Sequence, residues 1–222
     1  MARLKRPTNE TSSPVTQYLN WKSNDKAFAY YDKAKSENVL VELPIKILFL
    51  EHYHTVKGWN DASESGIFSN EVYSIGSEPL TVKAFKGGEI ATGLYKEIKE
   101  SIKNAGAVYN RSIYAMTSEG ALINVSLKGS GVKAYSDFYN DNNHLLDNSW
   151  IEINSAKEGK KGAVKYTTPE FTLGSPISKD ENKMADEVAN SLQAYMDSYF
   201  GRDDQEVTVE ATVEVSTEDM PF

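Results

Sequence analysis

A chain of 222 residues that is 40% apolar and 25% charged is ordinary globular material, long enough for one good core with extensions. With no cysteine it has no disulfide, no thiolate metal centre and no cysteine nucleophile, and none of its apolar runs approaches the ~20 residues of a membrane span. The net charge of −8 is unevenly spread: between 201 and 222 Arg202 stands alone against seven acids, a local −6, so residues 1–200 are nearly balanced.

Residues 1–16 run from Arg3, Lys5 and Arg6 into a stretch rich in Ser, Thr, Asn and Pro, which reads as a mobile arm and not as a secretory signal. Residues 17–36 mix Tyr18, Trp21, Phe28, Tyr30 and Tyr31 with lysines, and read as irregular or short helical structure packed on the main domain. From Val39 to Val56 the apolar residues alternate, which predicts one long strand bent at Pro44. Residues 57–66 read as a polar loop around Trp59; Ile67–Ile75 and Leu80–Phe85 read as strands, and Lys86-Gly87-Gly88 as a turn. A helix follows, capped by Thr92, with Leu94, Ile98 and Ile102 at four-residue spacing and Gly106 at its end. Ala107–Met116 and Ala121–Leu127 read as a strand pair joined by the turn Thr117–Gly120.

Strand, strand, strand, helix, strand, strand is the order of the OB-fold, a five-stranded barrel whose helix lies between its third and fourth strands. Beyond it, Gly131–Tyr139 reads as a short helix. Trp150–Ala156 and Ala163–Leu173 read as a hairpin with a basic tip that includes Lys160 and Lys161. A last helix starts at Ser178 with Glu181 three residues on, a capping box, and ends at Gly201. The expected architecture is therefore mainly β with helices. A single OB-like domain spans 17–200, with an added strand hairpin and a C-terminal helix, and an acidic tail spans 201–222. The tail's charge favours disorder, yet Val207, Val209, Ala211, Val213 and Val215 alternate like a strand that joins a sheet edge.

Catalysis finds little footing. There is no phosphate-binding Gly-x-x-x-x-Gly-Lys-Ser/Thr pattern, no Gly-x-Ser-x-Gly nucleophile turn and no acidic dyad; His52 and His54 share a strand face without a third ligand at metal spacing. The chain is expected to use no metal or other cofactor and to be no enzyme. A nucleic-acid surface fits better. Between Leu80 and Tyr135 eight basic residues face four acidic ones, a local +4, with aromatics among them. Unpaired bases stack on rings while cations follow the phosphates. The candidate contacts are Trp59, Lys83, Phe85, Lys86, Tyr109, Arg111, Tyr114, Lys128, Lys133, Lys160 and Lys161.

The tail closes on Glu218-Asp219-Met220-Pro221-Phe222. Acidic side chains beside one terminal ring suit docking, the ring in an apolar pocket and the carboxylates on a basic rim. This tip resembles that of the single-stranded DNA-binding proteins of bacteria and their phages, and the stretch from Gly58-Trp59 to Ser69-Asn70-Glu71-Val72 looks like that of some tailed phages of gut bacteria. The resemblance implies a protein that coats single-stranded DNA during replication and recombination in the host cytoplasm. It also implies that residues 218–222 recruit a polymerase, primase or helicase. The Gly/Gln/Pro-rich linker of the bacterial proteins is absent and a hairpin and helix stand in its place, which points to a monomer or dimer over a tetramer. A second class also fits: a virion or assembly protein whose acidic tail docks on a protein partner without nucleic acid.

Overall fold

The computed structural model describes residues 13–200. In chain order they form β1 (Gln17–Lys22), β2 (Ala27–Asp32), β3 (Glu37–Val41), β4 (Ile45–Asn60), β5 (Ser65–Ser69), β6 (Leu80–Ala84), β7 (Gly88–Gly93), α1 (Tyr95–Asn104), β8 (Ala107–Thr117), β9 (Leu122–Lys128), α2 (Ser130–Asn142), a 3-10 helix (Asn143–Asn148), β10 (Ser149–Lys161), β11 (Val164–Pro176) and α3 (Lys179–Phe200). These strands make one mixed sheet in the order β3-β2-β1-β9-β8-β4-β5-β6-β7, with β10 added to the start of β4 and β11 to β10. The single parallel pair is β1 with β9. The end strands β3 and β7 do not pair with each other, so the sheet stays open and the expected five-stranded barrel does not close.

β4 is the strand on which the sheet is assembled. One edge pairs with β8 from Ile47 to Gly58; the other is divided between β10 at Ile45–Ile47, a single bridge from His54 to Val72, and β5 at Lys57–Asn60. A bulge between Phe49 and Glu51 keeps Ile47, Phe49, His52, His54 and Val56 on one face. That face carries the main core, where Ile113, Ala115, Val125 and Leu127 meet Tyr135 and Phe138 of α2. At the far end of the same face, Val56, Ile67, Leu80 and Val82 pack against Ile98 and Ile102 of α1. On the opposite face α3 covers only part of the sheet: Leu192 and Met196 lie on Tyr53, Tyr114 and Leu122, and Ala185 lies beside Leu48, Met116 and Trp150.

Several expectations change in detail. Residues 17–36 are a β-hairpin, because Leu19, Trp21, Phe28 and Tyr30 alternate inward across the paired strands β1 and β2. The predicted long strand is two: β3 ends before Pro44 and β4 begins after it. Lys57–Asn60, read as loop, continues β4, and the connection to β5 is only Asp61–Glu64. β7 was not foreseen, and β5 stops at Ser69 instead of reaching Ile75. α1 starts two residues later than Thr92 suggested: Leu94 is its N-cap, and the Glu97 carboxylate accepts the Leu94 N–H at 3.3 Å. β10 and β11 run on to Lys161 and from Val164, so the basic segment 157–161 is strand and not loop. The capping box at α3 forms as expected, with the Ser178 N–H donating to Glu181 and the Glu181 N–H to Ser178 Oγ. Of the predicted arm, residues 13–16 lie beside β9, where the Thr16 N–H donates to Leu122 O at 2.8 Å.

Gly58 and Gly106 make a close crossing possible. A Cβ on Gly58 would stand 2.3 Å from Gly106 O, and one on Gly106, at φ +93°, would stand 2.2 Å from Trp59 O. Only glycine serves at Gly106, which ends α1 and turns straight into β8. Gly106→Ala is therefore expected to lower the unfolding free energy by about 1–3 kcal/mol in urea titration. A variant as stable as the parent would remove the role given to this crossing.

Candidate nucleic-acid interface

Because partners in a β-ladder point to the same side, the register fixes which side chains share the face that α3 leaves open. Lys57 of β4 lies between Val108 of β8 and Phe68 of β5, and Phe68 lies opposite Lys83 of β6. One row along, Trp59 lies opposite Gly66, and the Phe85 N–H donates to Gly66 O at 2.9 Å, which carries the register one residue past β6. The rows thus alternate in chemistry: Lys57, Phe68, Lys83 in one, and Trp59, Gly66, Phe85 in the next. Neighbouring strands are spaced at ~4.8 Å, so the Trp59 and Phe85 backbones stand about 10 Å apart with only a glycine between them. Phe85 is 67% exposed and Trp59 half-buried. On the other side of β4, Lys128 of β9 pairs with Asn110 of β8 and is exposed. Glu89 of β7, opposite Lys83, is the acid on this side of the patch.

Between the open patch and the α3-covered half lies a buried polar layer. The Lys57 ammonium donates to Ser126 Oγ at 3.3 Å, Ser126 Oγ donates to Asn110 Oδ1, and Asn124 Nδ2 donates to Ser112 Oγ at 2.6 Å. The Tyr114 hydroxyl donates to Glu71 Oε2 at 2.8 Å, and the Tyr199 hydroxyl accepts the Glu71 N–H. Burial lowers the pKa of Lys57, against the pull of the Glu71 charge; burial raises that of Glu71, opposed by Ser112, Lys57 and Tyr114. Glu71, bonded to Tyr114 of β8 and to Tyr199 of α3, links this layer to the end of the covering helix.

The structure brings Trp59, Lys83, Phe85 and Lys128 to one face, with Lys86 following Phe85 in the turn to β7. The residues the sequence reading missed are Lys57 and Phe68. Both would have followed from period-two alternation if 57–60 had been read as strand. Tyr114 is 5% exposed, committed to Glu71 and packed against α3, so it is not presented for stacking. Lys133 projects from α2 and forms an ion pair with Asp137. Lys160 and Lys161 lie at the exposed end of β10, where Lys26 reaches across to Glu158 at 2.7 Å. Residues 218–222 lie outside the described residues.

Tyr109 and Arg111 occupy the opposite face, between α1 and α2. Arg111 Nη1 donates to His54 Nε2 at 3.1 Å, so the proton of the neutral imidazole sits on Nδ1 and is donated to the Tyr109 hydroxyl at 2.7 Å. His52 Nδ1 stands 2.9 Å from the buried Tyr135 hydroxyl, and its ring lies 4.6 Å from that of Tyr139. Among the described residues no group of three or more His, Cys, Asp or Glu side chains is placed to hold a metal ion, and no helix is long and apolar enough to cross a membrane. No family model, curated protein or solved structure matches the chain.

Burial, with the Arg111 charge second, lowers both imidazoles from the ordinary 6.5 to about 4. Above pH 6.5 the rings are neutral whether folded or unfolded, and their full contribution is present. Between pH 6.5 and 4 the unfolded chain takes up protons that the folded one refuses, so stability falls as pH falls through that window. For half-buried rings the loss is expected at about 1–2 kcal/mol each. Urea melts at pH 7 and pH 4.5 should show a smaller difference for a His52→Asn/His54→Asn variant than for the parent; equal differences would contradict the assignment.

Proposed function

We propose that this chain binds single-stranded DNA across the open face of β4, β5 and β6. The observation that carries the reading is the alternation of Lys57, Phe68 and Lys83 with Trp59, Gly66 and Phe85 on a face that α3 leaves uncovered. A single strand needs rings for its bases and cations for its phosphates, without a groove shaped for a duplex. Trp59 and Phe85 serve as stacking platforms, with the glycine between them leaving room for one base. Lys83 and Lys128 follow the backbone, and Lys57 supplies positive charge to the floor. The same reading gives the acidic segment 201–222 its role: its tip, Glu218–Phe222, docks on replication proteins such as a polymerase, primase or helicase, so that the protein both coats the strand and brings enzymes to it.

In gel shifts at low salt, oligo-dT should bind at least tenfold tighter than duplex of the same length, with affinity falling steeply as salt rises. Phe85→Ala should cost ~1–3 kcal/mol of binding while leaving stability within about 0.5 kcal/mol. Lys83→Gln should lower the slope of log affinity against log salt by about 1. Equal affinity for duplex and single strand, or no binding at low salt, would overturn this function in favour of an assembly protein. For the tip, Phe222→Ala should remove most of the affinity for a replication partner, as loss of a buried aromatic anchor does; a variant that retains partner binding in pull-downs would overturn the docking role.

A further inference from the structure

We propose that the strand-binding track continues from the β4–β5–β6 patch past Lys128 to the β1–β2 hairpin, where Lys22 and Tyr31 hold the next nucleotides. The inference rests on the strand-binding reading and extends it: it names where the strand goes beyond β8 and how long a piece the protein holds.

The register carries the outward face well past β8. In the parallel pair Asn20 of β1 lies beside Ser126 of β9, so Lys22 and Lys128, each two residues further on, come side by side on the same face. Asn20 also lies opposite Ala29 of β2, and the same antiparallel register sets Tyr18 opposite Tyr31. On the far side of β2, Ala29 lies opposite Leu40 of β3. The alternate residues Leu19, Trp21, Phe28 and Tyr30 point into the main core, so Tyr18, Lys22, Tyr31 and Leu40 share the side of Lys57 and Lys128. α1 and α2 pack on the other side of the sheet, and α3 covers this one over Tyr53, Tyr114 and Leu122. Tyr18, Leu40 and Lys128 are exposed, and Lys22 and Tyr31 are half-buried.

The charge on this face is the deciding observation. The chain has 32 acidic and 24 basic residues, yet from β8 through β9, β1 and β2 to β3 no strand residue pointing this way is Asp or Glu. The hairpin's acids Asp32 and Glu37, opposite each other, fall on the core parity of the ladder. Paired lysines on a surface without carboxylates suit a polyanion, and the neighbouring tyrosines offer rings to its bases. From β6 to β2 the sheet order runs β6-β5-β4-β8-β9-β1-β2. At ~4.8 Å per strand spacing the track is roughly 29 Å long, about three times the span of the Trp59–Phe85 patch.

The test is fluorescence anisotropy of the full chain with labelled oligo-dT of about four and about twelve nucleotides, a range within that of single-strand site sizes. The parent should bind the long oligonucleotide more tightly. Lys22→Gln/Tyr31→Ala should lose at least tenfold in affinity for the long one and less than twofold for the short one, while Phe85→Ala weakens both. Tyr31→Phe, which keeps the ring, should bind both as the parent does. Lys22→Gln alone should lower the salt slope of the long oligonucleotide by about 1 and leave that of the short one unchanged. If the double variant does not fold, the salt slopes of Lys22→Gln carry the test. Equal losses at the two lengths, or binding of the long oligonucleotide unchanged by the variants, would overturn the extension and leave the β4–β5–β6 patch standing. Failure of the parent to bind either length would overturn the strand-binding reading, and the extension with it.

Discussion

The structure depends on β4 being hydrogen-bonded along both edges while its side chains alternate between two different environments. Of its sixteen residues, Ile47–Gly58 pair with β8 on one side, and β10, Val72 and β5 in turn take segments of the other. A strand in that position cannot slip by one residue without exchanging its faces, since the side-chain period is two. A slip would carry Val56 and Ile47 out of the apolar core and turn Lys57 from its polar partners into it. The bulge at Leu50 is the one adjustment, and it keeps Phe49 and His52 on the same side. The arrangement of all other candidate residues follows from this register.

Two faces of different character result. The α1–α2 face is a hydrophobic core interrupted by a strip of rings around Arg111, and the opposite face passes from the helix-covered half to an open patch of rings and lysines. The transition between the halves of that face is chemical as well as steric. Glu71 and Lys57 both sit where burial disfavours their charge, and each limits the shift of the other. Tyr114 donates to the Glu71 carboxylate and Tyr199 accepts the Glu71 N–H, so one residue ties β8 to the end of α3 at the edge of the open patch.

Much of the fold was legible because the periodic signals were strong. Leu94, Ile98 and Ile102 announced α1, Ser178 and Glu181 announced α3, and the β8–β9 hairpin was placed nearly to the residue. Barrel closure was not legible, because element order does not specify which end strands meet; β1, β2 and β3 extend the sheet beside β9, and a first strand pairing parallel with β9 leaves no local signature. The site was half legible. Composition found Trp59, Lys83, Phe85 and Lys128, but it also grouped Tyr109 and Arg111 with them, two positions that the register sends to the other face. Tyr114, two residues beyond Ser112, shares the open side by parity and is nevertheless buried, because α3 lies over that part of the sheet.

The central claim is that Trp59 and its neighbours form the surface on which a single strand lies. Trp150 is 1% exposed and Trp21 is packed against Phe28 with its indole N–H donating to Thr167 O, so Trp59 can be isolated as a reporter by Trp21→Phe and Trp150→Phe substitutions. The decisive measurement is the fluorescence of that single-tryptophan protein titrated with oligo-dT at two salt concentrations. The account predicts saturable quenching of Trp59 emission with a midpoint that moves to higher oligonucleotide as salt rises, as stacking combined with counterion release requires. Saturable binding of the oligonucleotide in a gel shift with Trp59 emission unchanged would contradict it.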